Sequence, residues 1–236
     1  MQLTKPQQTI ANSKKRFRIV SAGRRFGKTF LAIRDLCYFA RIPHRNIYYV
    51  APTYRMAKTV VWDELKMRLQ NLRWVKKINE TDLTVRLVNG SKISLRGSDN
   101  PDALRGVSLD FVVFDEFADV DPTTWEYVIR PALADKQGHA LWIGTPKGKG
   151  FLFDLFNTAK TSDDWISYQY TTAQGGQVSE EELAQAKRDL DARTYKQEFE
   201  AGWVEFSGAI YYSFGDHNII EQTLQLQLHQ KVKTIY

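Results

Sequence analysis

The sequence predicts an α/β fold, a mainly parallel sheet flanked by helices. Short apolar runs alternate with helical patterns along the 236 residues, which is the order of strands covered by helices. The runs are continuous rather than alternating, as strands buried on both faces must be. The first of them leads through a glycine-containing turn straight into a helix.

Taken in order, Phe17 to Ala22 is the first strand. The turn after it, Ala22-Gly23-Arg24-Arg25-Phe26-Gly27-Lys28-Thr29, has the spacing of a nucleoside-triphosphate phosphate loop. Gly27 lets the backbone curl close to the phosphates, and successive N–H groups with a helix N-terminus then meet them. Lys28 supplies a point charge toward the β- and γ-phosphates, and the Thr29 hydroxyl is placed to ligate Mg²⁺. One departure stands out: Ala22 occupies the usual first-glycine position, with Gly23 one step late. Arg24 and Arg25 lie inside the loop, where a guanidinium can neutralise charge developing on the γ-phosphoryl group. The competing reading is that one of them pairs with a nearby carboxylate and braces the loop.

Helices are predicted after Lys28, after Tyr54 and after Pro122, where Asp121 can cap and Pro122 suits a first helical position. Ile47 to Ala51 is the second buried strand. Thr84 to Val88 and Lys92 to Leu95 alternate and flank Asn89-Gly90, a hairpin signal. Phe111 to Phe114 is the next strand, and Asp115-Glu116 follow it directly, a Walker B arrangement. Asp115 can hold Mg²⁺ directly or through water, and Glu116 can polarise the attacking water as general base. Both fall at the carboxyl end of a strand, where open α/β sheets bind ligands. Leu141 to Gly144 is a further strand, and Trp165 to Thr172 reads as another. A last helix is predicted from Ser179-Glu180-Glu181-Glu182, a capping-box pattern, running past Tyr195. The polar, Gln-rich segment from Gln222 to Tyr236 is not assigned to the core.

Composition sets the bounds. Hydrophobic content of 43% with 25% charged residues is that of an ordinary globular protein. A net charge of +6 and a pI near 9.3 favour an anionic partner such as nucleic acid. The lone Cys37 sits in an apolar helical pattern with Leu31, Ile33, Leu36 and Phe39, so it reads as core, and no disulfide within the chain is possible. A reducing, cytosolic setting is the default expectation. The sequence has no apolar signal core and no run near the ~18 apolar residues of a membrane span.

These motifs together resemble the ATPase part of the large terminase of tailed bacteriophages, a DNA-packaging motor. The resemblance covers roughly residues 3 to 220. It rests on Pro6-Gln7-Gln8, Gly23 to Thr29, Ala51-Pro52-Thr53-Tyr54-Arg55 with Trp62, Leu104-Arg105-Gly106 before Phe114 to Phe117, Arg130-Pro131-Ala132-Leu133, and Gly144-Thr145-Pro146-Lys147-Gly148.

The resemblance implies a P-loop NTPase fold of the RecA/ASCE-like kind with a small lid subdomain: an ATPase core over 1–170, a lid and linker over 171–220, and a tail over 221–236 where a nuclease domain would start. It implies ATP and Mg²⁺ as cofactors. Gln7, or failing that Gln8, matches an adenine-reading glutamine. Thr145 matches a coupling motif that senses the γ-phosphate, and Arg24 matches an internal arginine finger. Arg130 is a candidate to act on a neighbouring subunit's nucleotide, against the alternative of an i, i+4 pair with Glu126. The implied partners are double-stranded DNA, a portal protein, a small terminase subunit and further copies in a ring, in the host cytoplasm and transiently at the procapsid, without a membrane and absent from the mature virion. The complete proteins of this family also cut DNA. Asp216 and Glu221 cannot by themselves build a two-metal nuclease site, so no nuclease activity is expected of these residues.

A motor that moves DNA grips phosphates without reading bases. Lys147, Lys149, Arg55 and Lys58 are candidates for that grip, with Arg96 and Arg105 as unranked alternatives. Two other functions share several of these motifs: a superfamily 2 helicase or translocase, which would need a second RecA-like domain, and an ATP-binding switch, which has no need of Glu116.

Overall fold

In the computed structural model, residues 3–205 are described. Asp216, Glu221 and the segment Gln222 to Tyr236 lie outside that range. Eight strands form one sheet: β1 (Phe17–Ala22), β2 (Asn46–Ala51), β3 (Val75–Asn79), β4 (Thr84–Leu87), β5 (Lys92–Gly97), β6 (Phe111–Asp115), β7 (His139–Gly144) and β8 (Trp165–Tyr170). Their spatial order is β3-β4-β5-β2-β6-β7-β1-β8. From β5 to β8 every neighbouring pair is parallel, whereas β3, β4 and β5 pair antiparallel.

The central strands β1, β2, β6 and β7 are buried almost throughout, which accounts for their unbroken apolar runs. One face packs under α1 (Lys5–Asn12), α2 (Lys28–Ala40), α3 (Tyr54–Ala57), the π-helical turn Lys58–Trp62 and α4 (Asp63–Asn71), through Ile10, Leu31, Leu36, Trp62 and Leu65. The other is covered by the helix after Pro122 and by α6 (Phe151–Thr158), through Trp125, Ile129, Leu152 and Phe156 against Phe114 and Trp142. Cys37 is in the first of these cores, where burial pushes its thiol up to about 11.

The hairpin is present, closed by a three-residue loop from Val88 to Gly90: Leu87 N–H donates to Ser91 O, Gly90 N–H to Leu87 O, and Gly90 takes φ 85°, the left-handed conformation that ends such a loop. Asp121 accepts from Thr123 N as a cap. The helix it starts contains a π-helical stretch, Thr124–Ile129, ahead of the short α5 (Arg130–Ala132). A proline inside a helix cannot donate and crowds the preceding turn, so a widened turn just before Pro131 lets the helix continue.

Three expectations change. The helix from Ser179 does not run past Tyr195 unbroken. It is α8 (Glu180–Asp189), then an extended Leu190, then α9 (Ala192–Glu198) restarted by Asp191, whose carboxylate accepts from Arg193 N. The last strand stops at Tyr170, because Thr171 caps α7 (Thr172–Gly175) by accepting from Gln174 N. The edge strand β3 and the helices α1 and α6 are additional. Residues 171–205 belong to the same compact unit as the sheet.

Candidate functional site

β1 delivers the phosphate loop at its carboxyl end, and the main chain fixes it from both sides. Gly23 N–H donates to Tyr170 O at 3.0 Å, Arg24 N–H to Glu198 O at 2.7 Å, and the Thr172 hydroxyl to Arg24 O at 2.8 Å. The late glycine now has a cause. Ala22 is the last residue of β1 and is fully buried, while a Cβ on Gly23 would lie 2.5 Å from Thr172 Oγ1 and 2.7 Å from Phe199 O. The close approach is at the second position, so that is where the glycine stands. Arg25 takes φ 61° and Gly27 φ 91°, and Gly27 caps α2. Phe26 is buried with its ring stacked 5.4 Å from that of Tyr170.

The strand order then brings three motifs together. In the ladder β1-β7-β6, Ser21 lies beside Gly144 and Asp115 beside Ile143, so the phosphate loop, Thr145 and the acidic pair all leave the same end of the sheet. Lys28 Nζ donates to Ala22 O at 2.8 Å, Gly23 O at 3.1 Å and Thr145 Oγ1 at 3.1 Å. All three of its protons are used. Burial lowers its pKa, with Glu116 and Asp115 pulling it back up. Glu116 sits at φ 45°, a region costly for a residue with a side chain, and its Oε2 accepts from Thr145 N at 3.5 Å.

Asp115 is only 4% exposed. Its Oδ1 accepts from Glu116 N and its Oδ2 from the Tyr49 hydroxyl. Burial raises its pKa to about 6, against the lowering effect of Tyr49. Burial and the carboxylate beside it likewise push Tyr49 up. Sequence reasoning missed Tyr49. The available signal was a tyrosine in the fully buried Ile47 to Ala51 run, since a buried hydroxyl needs a partner.

A cavity of 770 Å³ lies alongside the loop, walled by Gln7, Arg25 to Phe30, Ile33, Val60, Glu64 and Gln177. Gln7 is buried, donates to Phe26 O at 3.0 Å and accepts from Thr4 N at 3.0 Å. One N–H and one lone pair of its amide remain. Gln8 is exposed, bonds Leu3 O and lies outside the cavity walls, so of the two glutamines only Gln7 meets the loop. Gln177, Val60 and Glu64 were not anticipated, because chain distance hides their convergence.

The oxygen donors suit a hard divalent cation. The Thr29 hydroxyl and the Asp115 carboxylate are at this end of the sheet. Among the described residues no cluster of three or more His, Cys, Asp or Glu could cage a metal.

The remaining candidates are dispersed. Arg24 is 69% exposed and its Nε pairs with Glu198 on α9, leaving its two terminal amines. Arg130 lies over the ring of Phe17, 5.5 Å from its centroid. Phe17 begins β1, so Arg130 is at the opposite end of the sheet from the loop. Lys147 pairs with Asp119, and Lys149 with Glu205 at 3.5 Å. Arg55 and Lys58 are exposed on the helix after Thr53, and Arg105 pairs with Asp102 at 2.9 Å.

Comparison with known proteins gives a consistent set. Residues 19–214 match the family described as terminase large subunit, T4likevirus-type, N-terminal. The chain is 28% identical over 223 residues to the large terminase subunit of Escherichia phage T5, covering 90% of this chain and 51% of that protein. It is 29% identical over 170 residues to that of Thermus phage G20c, covering 64% of this chain and 35% of that one. It thus spans about half, or less, of the length of these relatives. In fold it is similar to the large terminase ATPase domain of Thermus phage P74-26, with a TM-score of 0.77 at 24% identity, covering 86% of this chain and 94% of that one. A large terminase from a thermophilic bacteriophage, solved in complex with ADP, gives 0.76 at 18% identity, covering 92% and 57%.

Proposed function

Since the chain belongs to the large terminase family of the T4-like type, in its N-terminal part, we propose that it is the ATP-hydrolysing motor domain of a viral DNA-packaging machine, coupling hydrolysis to movement of double-stranded DNA into a procapsid. The observation that carries this reading is the meeting of Lys28 Nζ, Thr145 and Glu116 at one end of the β1-β7-β6 ladder. A nucleotide-binding loop alone would need neither of the last two.

ATP lies in the cavity beside Gln7, with its phosphates on the N–H groups of Arg25, Gly27, Lys28 and Thr29 and at the N-terminus of α2. Gln7 offers its free N–H and lone pair to the adenine edge. Lys28 exchanges the loop carbonyls for the β- and γ-phosphates. Thr29 and Asp115 would hold Mg²⁺, which would supply charge neutralisation for the transfer. Glu116 accepts a proton from water as its oxygen bonds to the γ-phosphorus. The bond from that phosphorus to the bridging oxygen breaks, leaving ADP and phosphate. Arg24, released from Glu198, stabilises the charge that spreads over the γ-phosphoryl oxygens. Thr145 bonds both Lys28 and Glu116, so its position reports whether a γ-phosphate is present.

Residues 171–220 act as a lid and linker. Support comes from Thr172, Glu198 and Phe199, which bond or crowd the loop. The partners in this reading are DNA, the portal, a small terminase subunit and further copies in a ring, in the host cytoplasm. Arg130 reaches a neighbouring subunit's nucleotide, and Lys147, Lys149, Arg55 and Lys58 contact DNA phosphates.

The test is phosphate release by the wild type and by Glu116→Gln. Loss of a general base costs ~10²–10⁴-fold, so turnover is expected to fall by at least ~10²-fold while a fluorescent ATP analogue still binds. Unchanged turnover would overturn the assignment and favour a nucleotide-binding switch.

A further inference from the structure

Sequence reasoning found the hairpin in the outer, antiparallel part of the sheet and left Arg96 an unranked DNA contact; there the strand register builds a two-faced surface. Lys77 on β3 lies opposite Arg86 on β4, which lies opposite Lys92 on β5. One step along, Asn79, Thr84 and Ser94 form a second row. Arg96, on β5, shares this face because side chains two and four residues apart point the same way. The alternate residues Val85, Leu87, Ile93 and Leu95 are fully buried in the core on the other side. The strands are therefore apolar inward and cationic outward.

The second core does not extend under these strands, and the cationic side lines an open groove of 280 Å³. Among the described residues, none of the four cations pairs with a carboxylate. The one acid at the groove, Asp82, bonds Asn79 through its carboxylate. Its carbonyl accepts from Arg96, whose guanidinium is held 5.3 Å over the Tyr48 ring. Lys92 is lowered by burial and by the like charges of Arg86 and Arg96. Protection of a sheet edge explains lysines on an edge strand. It explains Lys77 and not Arg86 or Lys92, which are on interior strands.

From the register of unpaired cations across β3, β4 and β5, we infer that this face is a DNA-binding surface that holds the phosphates of a duplex. The inference rests on the DNA-handling reading above and adds a contact surface to it. The size fits a polyanion and exceeds one phosphate. Strands are ~4.8 Å apart and rise ~3.3 Å per residue, so Lys77 to Lys92 spans ~10 Å and Lys92 to Arg96 ~13 Å. A duplex carries a charge every ~1.7 Å of its axis and can meet all four. The strands carry no exposed aromatic ring, and single-strand binders need such rings to stack bases.

The experiment measures binding of a short labelled duplex of arbitrary sequence to the full chain, as fluorescence anisotropy across a salt series. The double variant Arg86→Ala with Lys92→Ala is expected to bind at least ~10-fold more weakly, with the log–log salt slope reduced by about 2. The charge-preserving pair Arg86→Lys with Lys92→Arg is expected to bind like wild type. Affinity for a fluorescent ATP analogue stays equal in all three, which reports that the fold is intact. Equal DNA affinity and slope in wild type and the Ala variant would overturn this surface alone, and would leave the face to an acidic protein partner. A wild-type chain that binds no duplex even at low salt would overturn both this surface and the DNA-translocation reading, leaving ATP hydrolysis standing.

Discussion

Asp115 shows what a single buried carboxylate costs. Its folded pKa, near 6, is above the ordinary aspartate value because burial outweighs the donors on its two oxygens. The folded state therefore favours the neutral acid. The penalty is absent below the unfolded value near 4 and grows as pH rises through 6. Asp115→Asn removes it, and the new amide can still satisfy both neighbours, since the Tyr49 hydroxyl can accept as well as donate. Without Mg²⁺, the variant should be more stable than wild type at about pH 8, by on the order of 3 kcal/mol at most. The advantage should vanish by about pH 4. Urea unfolding at both pH values checks this, and a variant less stable at the higher pH would show that the hydrogen bonds outweigh burial. The acidic pair itself was legible, because adjacency after an apolar run is visible in sequence. Tyr49 was not, because it meets Asp115 only once β2 and β6 are side by side.

At the scale of elements, the βα turn after β1 depends on Gly23. A methyl group there meets the backbone of Phe199 and the hydroxyl of Thr172, and the backbone has little room to yield. Gly23→Ala should destabilise by about 1–3 kcal/mol and weaken nucleotide binding. The reverse exchange one residue earlier, Ala22→Gly, should cost only ~0.5–1 kcal/mol through added backbone freedom. Thermal unfolding of the two variants decides it, and equal losses would mean that Gly23 is not tightly enclosed. The buried parallel strands were legible from their unbroken apolar runs, and the hairpin from Asn89-Gly90. β3 was hidden because Lys76 and Lys77 interrupt its apolar signal on a sheet edge. The break at Leu190 was hidden because Asp191 caps a new helix by a hydrogen bond that helical periodicity does not encode. α6 was missed because Phe151 to Phe156 is apolar in a way that does not by itself choose helix over strand.

At the scale of the whole molecule, an aromatic layer joins β6, β7 and β8 to the helix after Pro122. Trp142 on β7 stacks on Phe114 of β6 at 5.7 Å and on Trp165 of β8 at 5.1 Å, and Trp125 meets it edge-on at 4.6 Å. Its indole N–H has no partner among the described residues. Trp142→Ala should cost about 3–5 kcal/mol through the cavity it leaves. Trp142→Phe should cost much less, because it keeps the stacking and removes the unpaired donor. Equal losses in denaturant unfolding would mean that volume alone decides. The strand order has a further consequence, for the chain as it leaves a ribosome. β2 can find β5 and β6 soon after it is made, but β1 pairs only with β7 and β8. About 120 residues separate β1 from β7, so at 5–20 residues per second the strand that carries the phosphate loop waits roughly 6–24 s for its first neighbour. During that wait its apolar run is a ready template for wrong pairing. Arg18, the one charge in that strand, ends up buried against Asp35 at 2.7 Å. The phosphate loop is made before most of the sheet, and the strand that carries it is among the last to be paired.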